Sequence, residues 1–183
     1  MTLRADAQHV LAAWSAPDAE QHRLRRLYLE HLAEHPDATS RECHPDHLTA
    51  SALIVSADGE RVLLTLHRRI GRWLQTGGHC EPDDTSLAGA AQREGHEESG
   101  IPDLVVDPVP VLLSLHEVPS CGPIRPSHHL DVQYVAIAPA DAREVISDES
   151  DDLAWFALDD LPDVDQSVRD LIAAATRRLR ESP

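Results

Sequence analysis

The stretch Gly77-Gly78-His79-Cys80-Glu81, followed by Arg93-Glu94-Gly95-His96-Glu97-Glu98-Ser99-Gly100-Ile101, decides how this chain reads. A Gly-Gly turn leads toward a helix predicted over Leu87 to Ser99. At about 100° per residue, Leu87, Ala90 and Ala91 form a narrow apolar stripe. Glu94 and Glu98 continue that stripe, Glu97 lies at its edge, and Gln92, His96 and Ser99 face away. The acids therefore occupy the face that should turn inward. Like charges three and four residues apart repel, and half-buried carboxylates without a partner are costly. A hard divalent cation removes both costs, because Mg²⁺ and Mn²⁺ favour carboxylate oxygens.

These residues resemble the Nudix box, the signature of the Nudix hydrolases. Gly78 stands at its first glycine and Asp84 at its first acid; Arg93-Glu94, Glu97-Glu98, Gly100 and Ile101 follow in order. The stretch matched is Gly78 to Ile101, 24 residues. There are two departures. The segment from Asp84 to Arg93 is one residue longer than usual, and Gly95 stands at the usual aliphatic position. A helix-interior glycine costs about 1 kcal/mol relative to alanine. A solvated acidic helix face would not also supply the glycines and the arginine at these offsets.

The resemblance implies an α/β fold, a Nudix α/β/α sandwich around a mixed β-sheet. It implies an enzyme, a pyrophosphohydrolase that uses Mg²⁺ or Mn²⁺ to cleave a diphosphate linkage in a nucleoside diphosphate derivative or related small phosphorylated molecule. It implies Glu94, Glu97, Glu98 and the carbonyl of Gly77 as metal ligands, with Arg93 orienting the glutamates. Relatives commonly carry a further acid in the loop before a Trp-containing strand. Here that loop is Ser147-Asp148-Glu149-Ser150-Asp151-Asp152, before Leu153-Ala154-Trp155-Phe156. Glu149 is the first candidate for general base; Glu117 and Asp131 are weaker ones. Two other functions on this fold stay open: a nucleotide-binding sensor without catalysis, and an isomerase resembling isopentenyl-diphosphate isomerase with Cys80 as its loop cysteine. The intact Arg-Glu and Glu-Glu pairs favour hydrolysis over both.

Composition sets the outer bounds. A chain of 183 residues with 42% apolar content can bury a real core. Only six residues are aromatic, so that core is mainly aliphatic. With 32 acids against 16 basic residues, the net charge is −16. This argues against duplex nucleic acid or anionic membranes as partners, since both want a basic patch. A small phosphorylated substrate remains compatible, because a bound cation reverses the local field. No apolar run is long enough to span a bilayer, the start of the chain lacks a signal-peptide pattern, and three cysteines make no complete disulfide framework. A cytoplasmic protein is expected.

Periodicity divides the chain into a helical extension over 1–45 and an α/β domain over 46–183. Ala7, Val10, Leu11 and Trp14 predict a first helix; Leu24, Leu27, Tyr28, His31 and Leu32 predict a second, ended by Pro36. Leu48–Val55 and Arg61–His67 read as strands joined at Ala57-Asp58-Gly59-Glu60. Trp73–Gln75 is a short strand, with Trp73 a core residue by default. Val105–Val118 is extended and broken by Pro108 and Pro110. In Leu130–Ala138, Asp131 and Gln133 alternate against Val132 and Tyr134. Leu153–Phe156 is a last strand, and Val164 to Leu179 a last amphipathic helix. The N-terminal helices have three open roles: capping the cleft, forming a homodimer, or covering a sheet face.

Twelve histidines raise the question of zinc. Cys43-His44 with His47, and His79, Cys80 and Cys121, offer nitrogen and sulfur donors. No Cys-x-x-Cys is present and the spacing matches no compact zinc module, so structural zinc is not expected. His79 is expected beside the Gly-Gly turn, His128-His129 in a polar loop, and Cys80 as a small packed residue.

Overall fold

Each of the first three helices starts behind a side chain that accepts one of its otherwise orphaned first-turn amides. In the computed structural model, which describes residues 1–118, 121–148 and 150–181, Thr2 caps α1 (Leu3–Ala13), Asp18 caps α2 (Ala19–Glu34) and Ser86 caps α3 (Leu87–Ser99). Between and after them run β1 (His47–Val55), β2 (Arg61–His67), β3 (Arg72–Leu74), β4 (Thr76–His79), β5 (Val105–Val106), β6 (Leu112–Glu117), β7 (His128–Ile137) and β8 (Ser150–Ala157). A last helix, α4 (Gln166–Glu181), completes the order.

The strands form one mixed sheet. Its main path is β3-β2-β1-β7-β5, with β4 on β1, β6 on β7 and β8 on β2. Among the described residues only β1 and β7 pair in parallel, from His47 opposite His129 to Val55 opposite Ile137. Alternation along β1 builds both layers of the core. Leu48, Ala50, Ala52 and Ile54 pack toward residues of α1, α2 and α3, such as Leu11, Tyr28, Leu32 and Leu87. Leu53 and Val55 pack toward Val168, Leu171 and Ile172 of α4. The result is a sheet between two helical layers, as an α/β/α sandwich requires.

Three local readings change. Gly77 and Gly78 do not form a turn; they lie in β4, where Gly77 pairs with Ser51 and Gly78 with Ala50. A Cβ on Gly77 would overlap Ser51, so only glycine lets β4 approach β1 this closely. His128-His129 does not sit in a loop either. Both residues open β7, because Glu117 and His116 of β6 pair with them. On α3, Ser99 is fully buried rather than outward-facing. Gly95 permits this: a Cβ there would stand 3.1 Å from Leu104 Cδ1, so Leu104 fills the space of the missing aliphatic side chain.

The two N-terminal helices share the core of the sheet face they cover, and they also make polar bonds to it. Asp6 Oδ2 accepts from Leu87 N at 2.9 Å, so α1 caps α3. The Gln21 side chain makes both bonds that a neighbouring strand would make to Leu113. Its Nε2 donates to Leu113 O at 3.1 Å, and its Oε1 accepts from Leu113 N at 2.8 Å. Tyr28 Oη donates to Asp131 O at 3.4 Å. Among the described residues no helix is long and apolar enough to cross a membrane.

Gln21→Ala should leave both backbone groups of Leu113 buried without partners, each costing about 1–3 kcal/mol. Urea unfolding should show that loss as a lower midpoint with an unchanged slope.

Candidate active site

Helix α3 ends where glycine must end it: Gly100 takes φ 65°, and its N–H donates to His96 O. Just before this end, the side chains of Arg93, Glu94, Glu97 and Glu98 emerge within two turns. Ser86, the N-cap directly before Leu87, sets where the helix begins, and the buried Leu87, Ala90, Ala91, Gly95 and Ser99 fix its rotation against the sheet.

Arg93 is the centre of the group. Its Nη1 donates to Glu94 Oε1 and to Glu97 Oε2, both at 3.0 Å. Its Nε and Nη2 donate to the two oxygens of Asp84 at 3.2 and 3.0 Å. Nη2 also donates to the carbonyl of His79 at 2.9 Å. One planar guanidinium thus joins the loop before the helix, the helix itself and β4. Burial alone would lower its pKa, but the hydrogen bonds and charges of Asp84 and Glu94 outweigh that and hold it above the ordinary arginine value. The extra residue between Asp84 and Arg93 does not break their contact.

Glu94 faces β4. A Cβ on Gly78 would lie 2.7 Å from Glu94 Oε1 and 2.8 Å from Oε2, so glycine is required for the carboxylate to rest there. Its side chain is 14% exposed, that of Glu97 53%, and Glu98 is half-buried one turn beyond Glu94. A set of carboxylates beside a backbone strand suits a hard cation such as Mg²⁺ or Mn²⁺. The donor chemistry fits one, and Gly78 lets the Glu94 carboxylate rest against β4.

The other candidates separate. Glu149 lies outside the described residues. The segment leading to it is docked on the end of α3, where Val145 N donates to Ser99 O at 2.7 Å. Asp151 is paired with Arg68 at 3.0 Å, and Asp152 Oδ1 accepts from Leu153 N. Asp131 is buried on the sheet and accepts from Thr49, Ser51 and Gln133 at 2.7 to 3.0 Å. Glu117 is exposed at the end of β6. Trp73 meets Phe156 edge to face at 4.8 Å and packs into the α4-side core. Cys80 is buried, and burial together with the charge of Asp84 pushes its thiol up to about 12.

The family model for the NUDIX domain matches residues 45–181. Among solved structures, a MutT NUDIX hydrolase from Burkholderia pseudomallei is 26% identical, with a TM-score of 0.55 over 72% of this chain and 98% of its own. A NUDIX-family hydrolase from Clostridium perfringens is 24% identical, with a TM-score of 0.57 over 74% of this chain and 98% of its own. The NUDIX domain of NrtR from Shewanella oneidensis, in a cocrystal with ADP ribose, is 21% identical, with a TM-score of 0.56 over 82% of this chain and 97% of its own. Among curated proteins, none matches the chain.

Arg93→Gln should remove the shared counter-ion of Asp84, Glu94 and Glu97. Hydrogen bonds to charged groups contribute about 1.5–3 kcal/mol each, so a loss of at least that size is expected in thermal or denaturant unfolding. A variant as stable as the parent would show that the acids do not need the guanidinium.

Proposed function

Because the chain belongs to the NUDIX domain family, we propose that it is a divalent-metal-dependent pyrophosphohydrolase. Its substrate would be a nucleoside diphosphate joined to another moiety, or a related small phosphorylated molecule. The observation that carries this reading is the glutamate set of α3, with Glu94 and Glu97 held by Arg93 and Glu94 fitted against the glycine strand β4. Glu94, Glu97, Glu98 and the carbonyl of Gly77 would hold Mg²⁺ or Mn²⁺. Such an ion, when bound, neutralises phosphate oxygens and lowers the pKa of a water.

The chain's own residues supply positioning and proton transfer. Arg93 orients Glu94 and Glu97 and limits their repulsion. A water that attacks phosphorus needs a proton acceptor within hydrogen-bond reach. We assign that role to Glu149, since Asp151 and Asp152 are engaged elsewhere and Asp131 is held by three side chains of the sheet. An isomerase that relies on Cys80 fits poorly, because a thiol with its pKa raised to about 12 is a weak acid and seldom a thiolate. A sensor without catalysis would have no use for the full set of box glutamates. Residues 46–183 form the catalytic domain in this reading, with 1–45 as a helical extension over one face. A cytoplasmic setting fits three cysteines that are all free.

A screen of nucleoside diphosphate derivatives with Mg²⁺ and with Mn²⁺, read by coupled phosphate release, tests the reaction class. On the substrate so found, Glu98→Gln should abolish most turnover while the circular dichroism spectrum stays that of the parent. Normal metal-dependent activity in that variant would refute the site assignment.

Glu149→Gln should lower turnover by roughly 10²–10⁴-fold, the usual range for a general acid–base group, with little loss of substrate affinity. Asp148→Asn and Asp151→Asn should have weaker effects. If all three turn over like the parent, the base lies elsewhere and Glu94 is the next residue to replace.

A further inference from the structure

The opposite face of the sheet carries a second group of donors. The parallel register of β1 and β7 sets His47 opposite His129, and the antiparallel register of β1 and β4 sets His79 opposite Thr49. Alternation then turns His47, His79 and His129 to one side. That side is the one away from Gly78 and Glu94. The three rings form a nearly equilateral triangle, with centroids 5.1, 5.0 and 4.9 Å apart.

Cys121 comes to this triangle from the connection between β6 and β7. Ser127 Oγ lies 2.9 Å from the carbonyls of both Val118 and Cys121, which closes that connection into a loop. Gly122 has φ 75° and leaves no room for a Cβ against the His44 ring, so the loop sits tight on the chain before β1. Cys121 Sγ lies 3.5 Å from His79 Nε2 and 3.7 Å from His47 Nε2. One donor atom from each of the four residues falls within 4.8 Å of all the others.

We propose that His47, His79, His129 and Cys121 are the four ligands of a tetrahedral structural zinc site, separate from the glutamate helix. Zinc bonds of about 2.3 Å to sulfur and about 2.0–2.1 Å to nitrogen at tetrahedral angles put sulfur about 3.6 Å from each nitrogen. The two sulfur–nitrogen distances lie on either side of that value. Three imidazoles and a thiolate are donors for Zn²⁺, not for Mg²⁺ or Mn²⁺, which prefer oxygen. Four protein ligands also leave no open position for a water, as in structural sites.

The surroundings agree. His47 Nδ1 lies 3.1 Å from the carbonyl of Cys43. A carbonyl only accepts, so Nδ1 carries the proton and Nε2 keeps its lone pair toward Cys121, the outer-shell arrangement usual for metal-bound histidine. His129 Nε2 is buried and has no hydrogen-bond partner among the described residues. Burial lowers the pKa of His47, that of His79 to about 4 and that of His129 to about 3, the neighbouring rings adding to the effect for the last two. Burial thus favours the neutral imidazole in all three, the form that binds metal. On binding, the Cys121 thiol loses its proton to solvent and its sulfur bonds to zinc as thiolate.

Such an ion would tie β1, β4, β7 and the loop at Cys121 together. It would also fix the strand whose other face meets Glu94, since the His79 carbonyl accepts from Arg93.

The test uses the full, untagged chain. Zinc content after purification should be one ion per chain by plasma mass spectrometry. The chelator-stripped chain, given Co²⁺, should show the visible bands of tetrahedral cobalt and a thiolate charge-transfer band. Zinc should raise its melting temperature. Cys121→Ser should abolish the charge-transfer band, and both Cys121→Ser and His129→Asn should weaken zinc binding by more than the roughly 10–100-fold typical of outer-shell changes. Cys43→Ser, in the neighbouring group His35, Asp37 and Cys43, and Glu98→Gln should both keep the band. Absence of the band in the parent chain overturns the proposal whatever the variants do. So does its survival in Cys121→Ser, or its loss in Cys43→Ser or Glu98→Gln.

Discussion

The guanidinium of Arg93 is the interaction on which the arrangement of this protein depends. Asp84 belongs to the loop before α3, Glu94 and Glu97 to the helix, and the His79 carbonyl to β4; one side chain bonds to all of them. Without it, several carboxylates would converge where the field of the whole chain is already negative. Every one of the 16 basic residues is arginine. That choice matters here, because an ammonium is a point charge and cannot present a rigid fork to three carboxylates and a carbonyl at once.

Close approach of backbone is the second constraint. Gly77 lets β4 lie against Ser51, Gly78 leaves room for the Glu94 carboxylate, and Gly95 lets α3 settle near Leu104. Each glycine removes a side chain that would hold two elements apart. The cost of Gly95 in helix propensity is offset by burial of Leu104 and by a helix seated close to Thr76 and Ile54. The N-terminal helices complete the same layer. They cover the sheet with Leu11, Tyr28 and Leu32, and they satisfy backbone groups of α3 and β6 that would otherwise be buried without partners.

One face of the central strands is apolar and the other turns polar toward one end. Along β1, Leu53 and Val55 give way to Ser51, Thr49 and His47; along β7, Val135 gives way to Gln133, Asp131 and His129. The α4 layer covers the first set. The second set has to satisfy itself, which Asp131 does for Thr49, Ser51 and Gln133. Among the described residues, the hydrogen bonds of His47 and His79 at the end of the row go to a carbonyl and to Cys121 instead.

The sequence by itself determined the glutamate helix and its arginine, because both lie within 24 consecutive residues and helical periodicity relates them directly. It also determined the N-terminal helices, the aliphatic strands and the final helix, since each carries its own periodic signal. The inward turn of Ser99 was not legible, because it follows from a contact between Gly95 and Leu104 across a helix end. Nor was the strand at Gly77-Gly78, which exists only as a partner of β1. The grouping of His47, His79, Cys121 and His129 was decided by tertiary structure alone. A trace of it is present in the sequence, as His47, Thr49, Ser51 and His129, Asp131, Gln133 share the same two-residue alternation. Nothing local tells that the two strands run parallel with His47 opposite His129. Strand register is a property of pairing between distant segments, and spacing along the chain does not encode it.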